Sequence, residues 1–275
     1  MSTVMGIINV NNESFYAASR CNGEEDFSER IERMIANGAS IIDIGACSTK
    51  PGSTPVTQEQ EWNNLKVPLK YIANIAKKKY PDTKFSIDTF RSEIVRRSYD
   101  LIGDFIVNDI SAGEDDKEML QTVSNLKLGY IAMHKRGVPN TMQSLCDYPN
   151  GVVNEVIDYF KKFNDIAVDY GISEYIIDPG FGFAKTVEQN YELLEGIPKI
   201  IEEVSEYAKK NIPLLAALSR KSMIWKPLGI TPEESLPATS ALNLQCLLKG
   251  ASIIRVHDVK EGMQCITLSK LLRSL

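Results

Sequence analysis

The sequence predicts a (β/α)8 TIM barrel, folded as one domain over residues 1–275. Three observations predict it. The chain has 275 residues, close to the length of about 250 usual for such barrels. Short apolar runs alternate with stretches of helical periodicity along the whole chain. Nearly every apolar run also ends in a distinctive polar cluster, as strands do when their C-terminal ends converge on one mouth. A doubly wound open sheet alternates strand and helix too, but would spread those ends along a line. No composition shift or low-complexity linker divides the chain.

The first strand is expected at 4–10, where Asn9 leads into the polar stretch Asn11-Asn12-Glu13-Ser14-Phe15-Tyr16. A helix follows at 27–37 with Gly38 just beyond it, where a glycine commonly ends a helix. The second strand, 40–44, opens a loop of small and hydroxyl residues with one lysine, Gly45-Ala46-Cys47-Ser48-Thr49-Lys50-Pro51-Gly52-Ser53. Such a loop suits close approach to a phosphate; an ordinary glycine-containing loop reads the same way. After a long helix at 59–79, the third strand, 84–87, ends at Asp88. The fourth, 104–107, ends at Asn108 and Asp109. The fifth, 128–133, ends at Met133 and His134, and the sixth, 175–177, at Asp178, with a helix at 151–170 between them. Gly129, Gly171 and Gly250 are read, like Gly38, as helix terminators. Strand seven, 214–218, runs into Ser219-Arg220-Lys221-Ser222, a helix follows at 237–249, and strand eight, 252–256, carries Arg255 and leads to His257 and Asp258.

Any one carboxylate at a strand end can be a helix N-cap. Several acidic or amide ends facing one mouth can instead read a flat heterocycle rich in N–H groups. Such groups are costly to bury unless they find partners. Arg255 and His257 are two apart, so on a strand they share a face, and with Lys221 they make a seat for phosphate or diphosphate. A salt bridge from Arg255 to a neighbouring carboxylate is the plainer alternative. No Ser-His-Asp order and no Walker glycine loop occurs.

Composition narrows the class. Hydrophobic residues make up 43% and charged residues 24%, as in globular proteins. No apolar run approaches the ~18 residues that span a bilayer, and the first residues carry no signal-peptide pattern, so no membrane partner and a cytoplasmic location are expected. The five cysteines are scattered without a C-x-x-C pair, which fits reduced thiols. Two histidines and no such pair argue against a zinc cluster. A net charge of −5 disfavours nucleic acid as a partner, since that needs a basic footprint; it leaves room for a local basic cluster and a small anionic substrate.

The polar clusters fall in an ordered set of blocks. These are Met5-Gly6-Ile7-Ile8-Asn9-Val10, Gly-Ala-x-Ile-Ile-Asp-Ile-Gly at 38–45, Ser-Thr-x-Pro-Gly at 48–52, Ser-Ile-Asp-Thr at 86–89, Asn-Asp-Ile-Ser at 108–111, the stretch from His134 to Gln143, Asp-Pro-Gly-x-Gly-Phe at 178–183, Ser-Arg-Lys-Ser at 219–222, and Arg255 to Glu261. In this order, over nearly the whole chain, they resemble the dihydropteroate synthase family of pterin-binding enzymes. The resemblance implies displacement of diphosphate from 6-hydroxymethyl-7,8-dihydropterin diphosphate by p-aminobenzoate, with Mg²⁺ as cofactor and a homodimer as the assembly. It implies that Asn9 binds Mg²⁺ with the diphosphate, and that Thr49 and Lys50 lie near diphosphate and aminobenzoate. Asp88, Asn108 and Asp178 would hold the pterin with Met133 packed near it, and Lys221 would contact the pterin. Phe15, Pro51, Phe183 and Ser222 would line the aminobenzoate pocket, and Arg255 and His257 would hold the diphosphate. Catalytic roles would fall to Lys221, Arg255, His257, Thr49 and Lys50.

Two departures stand out. The family's first loop usually reads Thr-Pro-Asp-Ser-Phe-Ser-Asp-Gly-Gly after the asparagine, where this chain has Asn11-Asn12-Glu13-Ser14-Phe15-Tyr16-Ala17-Ala18-Ser19. Lys50 stands where arginine is usual; it keeps the charge but not the bidentate fork. A pterin-binding methyltransferase and a non-catalytic paralogue remain open as alternatives at this point.

Overall fold

The computed structural model describes residues 2–10, 24–47, 56–137 and 144–274. Eight parallel strands form its centre: β1 (Thr3–Asn9), β2 (Ile41–Gly45), β3 (Lys84–Asp88), β4 (Ile106–Asp109), β5 (Gly129–Met133), β6 (Tyr175–Asp178), β7 (Leu215–Ala216) and β8 (Ile253–Val256). The pairing order is β6-β5-β4-β3-β2-β1-β8-β7. A parallel bridge between Ile177 and Leu214, with Ile177 N donating to Pro213 O at 3.0 Å, brings β6 to β7 and closes the ring. Helices return the chain between strands: α1 (Glu24–Ala36), α2 (Gln58–Tyr71, continuing through 72–79), α3 (Ser92–Ile102), α4 (Met119–Leu126), α5 (Val152–Asp169), α6 (Val187–Glu195), α7 (Ile197–Ala208), α8 (Ser222–Leu228), α9 (Leu236–Leu248) and α10 (Val259–Arg273).

The expected strands are all present, with local shifts. β4 starts two residues later than expected and includes Asn108 and Asp109. β7 is reduced to Leu215–Ala216, since Leu214 serves the bridge to β6 instead. Gly129 does not terminate a helix. It opens β5, and the residue ending α4 is Lys127, left-handed at φ 54°.

Strand alternation sorts each run onto two faces. Outward residues such as Val4, Ile8, Ile42, Ile44, Phe85, Ile87, Val107, Ile177, Ile254 and Val256 join the helices in the main core. Inward residues Met5, Ile41, Ile131, Leu215, Ala217 and Ile253 form a small apolar floor inside the barrel, with Ile106 and Ile176 against it. The next inward position, two residues along, is Asp43 after Ile41, Asn108 after Ile106, Met133 after Ile131, Asp178 after Ile176 and Arg255 after Ile253. The mouth therefore receives a polar layer resting directly on the floor.

The start of α2 braces that layer. Thr57 caps the helix with a capping box to Gln60. One turn on, Glu61 is fully buried, accepts from Thr89 Oγ1 at 2.6 Å, and pairs with Arg91. Arg91 also donates to Val56 O at 2.6 Å. These contacts clamp the residues that follow Asp88. Glu61→Ala would leave a partly buried guanidinium without its partner, and is expected to cost about 3–5 kcal/mol. Lys79→Ala removes an exposed pair with Glu32 and a contact over the Tyr80 ring, and should move the urea midpoint little. Equal losses in the two variants would show that Glu61 is not a brace.

Candidate active site

Arg255 occupies the centre of the polar layer. Its Nε donates to Asp43 Oδ2 at 2.7 Å and its Nη2 to Asp88 Oδ2 at 2.8 Å. Asn108 Nδ2 donates to the same Asp43 oxygen at 3.1 Å. The plainer expectation for Arg255, a salt bridge, is thus realised, although it stays within reach of the mouth at 16% side-chain exposure. Asp43 Oδ1 is buried with no hydrogen-bond partner. Burial raises the Asp88 pKa above the usual carboxylate range, and Arg255 pulls against it.

Asp178 ends β6 beside Met133, its register partner on β5. Its Oδ1 accepts from Gly180 N at 2.8 Å, and burial raises its pKa, with Lys221 opposing. Gly180 has φ +72°, and a Cβ there would stand 2.0 Å from His134 O, so only glycine lets this turn pack onto β5. Lys221 donates to Phe181 O at 2.7 Å and lies 4.8 Å from the Phe183 ring centroid. Burial lowers its pKa to about 8. Ser222 follows as the first residue of α8. His257 Nδ1 lies 3.0 Å from Ser219 Oγ. Burial first, then the charges of Arg255, Arg220 and Lys221, lower its pKa to about 3, so at neutral pH it is uncharged. Asn9 closes β1 at the same level, in register with Gly45. Of the expected site residues, Phe15, Thr49, Lys50 and Pro51 lie outside the described residues.

The geometry therefore gathers acidic and amide groups from β2, β3, β4 and β6 against lysine, arginine and histidine from β7 and β8. A family model for pterin binding enzymes matches residues 5–257. The chain belongs to the pterin-binding enzyme family. A dihydropteroate synthase from Synechocystis sp. is 37% identical over 264 residues, covering 95% of this chain and 86% of the relative. The Yersinia pestis dihydropteroate synthase, solved with a sulfonamide drug complex, superposes with a TM-score of 0.90 at 29% identity, covering 100% of this chain and 95% of that one. The Burkholderia cenocepacia dihydropteroate synthase complexed with 7,8-dihydropteroate gives 0.84 at 30% identity, covering 100% and 92%.

Within this candidate site, the structure corrects one sequence reading. Asp109 does not face the mouth with Asn108. It sits one residue out of phase, fully buried, accepting from Ser111 N and Oγ, Gly113 N and Tyr130 Oη. Arg220, within the basic block after β7, is buried, with a left-handed backbone at φ 53°. It forks onto Asp258 at 2.8 and 3.0 Å and onto the carbonyls of Pro232 and Glu233. Two functional groups were missed. Asp43 could have been found by phase, two residues after floor residue Ile41. Lys185 gave no signal, because its partners are distant in sequence or are backbone.

Lys185 is buried, with Nζ 3.0 Å from each of His134 Nδ1, Gly180 O and Phe183 O. It ties the 178–183 turn to β5 and so positions Asp178 and Phe183. Burial lowers its pKa to about 7 from 10.5. The unfolded chain then binds the extra proton between those values, so the cost of burying the ammonium is full below about pH 7 and disappears above 10.5. Lys185→Met should gain stability relative to wild type at pH 6.5 and lose most of that advantage by pH 9.5. A stability difference independent of pH in denaturant titrations would exclude the depressed pKa.

Proposed function

We propose that this chain acts as a dihydropteroate synthase, joining 6-hydroxymethyl-7,8-dihydropterin diphosphate to p-aminobenzoate and releasing diphosphate. The observation that carries it is the ring of inward strand ends, Asp88, Asn108 and Asp178 around Met133, facing Lys221, Arg255 and His257 on the opposite strands. Asp178 Oδ2 and the orphan Asp43 Oδ1 are acceptors suited to the N–H edge of a pterin. The family match, and the dihydropteroate seen with the Burkholderia relative, support the same substrate class.

In this reaction the aromatic amine nitrogen forms a bond to the pterin methylene carbon while the bond from that carbon to the diphosphate oxygen breaks. The amine then gives up a proton. Positive charge building at the methylene spreads into a ring held among carboxylates. Negative charge building on the leaving group meets Arg255 and the neutral His257 donor. A neutral aniline needs no strong base. Lys221, under Phe183 and beside Ser222, borders the space left for the aminobenzoate.

Mg²⁺ is part of the proposal. Among the described residues no cluster of three His, Cys, Asp or Glu side chains could hold an ion, so those residues offer no cage of their own. Asn9 fits a metal bound mainly through substrate phosphates, as Mg²⁺ usually is. When bound it would neutralise phosphate charge. A reducing, cytoplasmic setting agrees with the free thiols of Cys47, Cys146, Cys246 and Cys265. Exposed Val168 on α5 and Tyr207 on α7 offer apolar surface for a homodimer.

Diphosphate release by the purified chain should require both aminobenzoate and Mg²⁺, and a chelator should stop it without lowering the melting temperature. Release in chelator would remove the metal from the mechanism; no release under any condition would leave a non-catalytic paralogue. Asp178→Asn should keep the Gly180 turn through the amide oxygen but turn a donor toward the pterin. Calorimetry should read a loss in pterin affinity of about tenfold to a hundredfold, the usual worth of one charged hydrogen bond. Wild-type affinity in this variant would exclude Asp178 from the pterin site.

A further inference from the structure

Among the described residues, the mouth holds more carboxylate than cation. Asp43 and Asp88 share Arg255, Asp178 faces Lys221, and Asp258 is taken by Arg220. His257 is neutral at physiological pH. A site that receives a diphosphate on the β8 side would be expected to bring a cation not already neutralised by a carboxylate.

Arg30 is such a cation. It lies on α1 in phase with Phe27, Ile31 and Met34, all buried, so it belongs to the helix face that packs on the barrel. Arg30 itself is only 8% exposed. Its Nε is buried without a hydrogen-bond partner, and it forms no ion pair with any described residue. A buried guanidinium in that state is costly, and a ligand that brings the missing charge removes the cost.

Its height in the barrel follows from packing. A Cβ on Gly6 would stand 2.9 Å from Met34 Sδ and 3.0 Å from Val259 Cγ2. The inner face of α1 therefore rests on β1 at Gly6, next to the start of α10. Arg30 is one turn nearer the N-terminus of α1, about 6 Å closer to the mouth. Along a strand that is about two residues, which takes the level from Gly6 to Ile8 on β1. Since Gly6 pairs with Val256, the corresponding level after β8 is that of His257 and Asp258. Helix side chains lean toward the helix N-terminus, here toward the mouth. The field of Arg30 is accordingly felt at His257.

We propose that Arg30 is a further diphosphate-binding residue, a cation beneath the Asn9–His257 edge of the mouth that contacts the phosphate oxygens and stabilises the leaving group. The assignment rests on the proposed synthase reaction for its substrate, but its ligand class, a diphosphate, can be tested without turnover. Guanidinium suits the role because its fork matches two phosphate oxygens. Arg255, held by two carboxylates, then acts chiefly to orient and bridge, and Arg30 supplies uncompensated charge as the carbon–oxygen bond breaks.

The test uses the full chain, with Arg30→Gln and Arg30→Lys beside wild type. Calorimetry with Mg²⁺ and inorganic diphosphate should read a loss of about tenfold to a hundredfold in Arg30→Gln and a smaller loss in Arg30→Lys. Binding of 6-hydroxymethylpterin, which has no diphosphate, should be unchanged in both. The melting temperature of Arg30→Gln should equal or exceed that of wild type, because an unpartnered buried charge has been removed. A wild-type diphosphate affinity in Arg30→Gln overturns the assignment, as does an equal loss for both ligands. A fall in melting temperature with diphosphate binding unaltered also overturns it, and identifies Arg30 as structural. If wild type binds diphosphate but forms no dihydropteroate, the synthase reading fails while the Arg30 result still stands on the diphosphate affinities.

Discussion

The ion cluster of Arg255 with Asp43 and Asp88 ties together strands that are not neighbours. β8 pairs with β1, and β1 with β2, so a side chain from β8 reaching β2 and β3 passes across the mouth. The alternation of each strand turns all three groups inward, with Asp43 and Arg255 one inward step beyond floor residues Ile41 and Ile253. Asn108 joins from β4 through the same Asp43 oxygen. The width of the mouth, and the direction in which each acceptor points, are set by this shared guanidinium. Buried ion pairs of this kind seldom add net stability over an apolar replacement. Their presence here is better understood through what they orient, since they fix Asp43 while leaving its second oxygen buried without a hydrogen-bond partner.

Much of this was legible in the sequence, because the information is periodic. Eight apolar runs, each closing on a polar residue, specify a barrel with a polar mouth, and the inward phase picks out Asp88, Asn108, Asp178 and Arg255. The same phase rule distinguishes Asn108 from Asp109 once β4 is known to begin at Ile106, two residues later than its composition suggests. What could not be read depends on contacts between distant segments. Arg220 is committed to Asp258, 38 residues away in sequence, and local pattern gives no hint of that. Lys185 looks like an ordinary loop lysine until His134 is placed beside it, 51 residues earlier. Arg30 occupies a core position of an amphipathic helix, where its charge contradicts the pattern and so signals function rather than fold.

Burial tunes the same groups that the fold positions. Lys221 and Lys185 are held near the point of losing a proton, His257 is kept neutral, and Asp88 and Asp178 are pushed up. Each of these shifts is a free-energy cost in the folded state, carried by the continuous apolar layer between strands and helices. The trade is characteristic of a site organised ahead of its ligand.

The arrangement of sign across the mouth matches the charge separation that the reaction requires. Carboxylates and amides come from β2, β3, β4 and β6, while the cations come from β7, β8 and, through Arg30, from the helix after β1. A dihydropterin diphosphate laid across the mouth would place its ring over the first group and its leaving group over the second. Breaking the bond between them moves negative charge toward the cations and leaves positive charge over the carboxylates. Both movements are favourable in the fixed field, and neither needs a side chain to move. That reduces the catalytic demand on the loops to admitting the aminobenzoate and excluding water. The polarity of the barrel comes from strand ends, and strand ends are positioned by the register of the sheet rather than by the loops. An altered first loop can therefore change how the second substrate is admitted while the field that drives diphosphate departure stays in place.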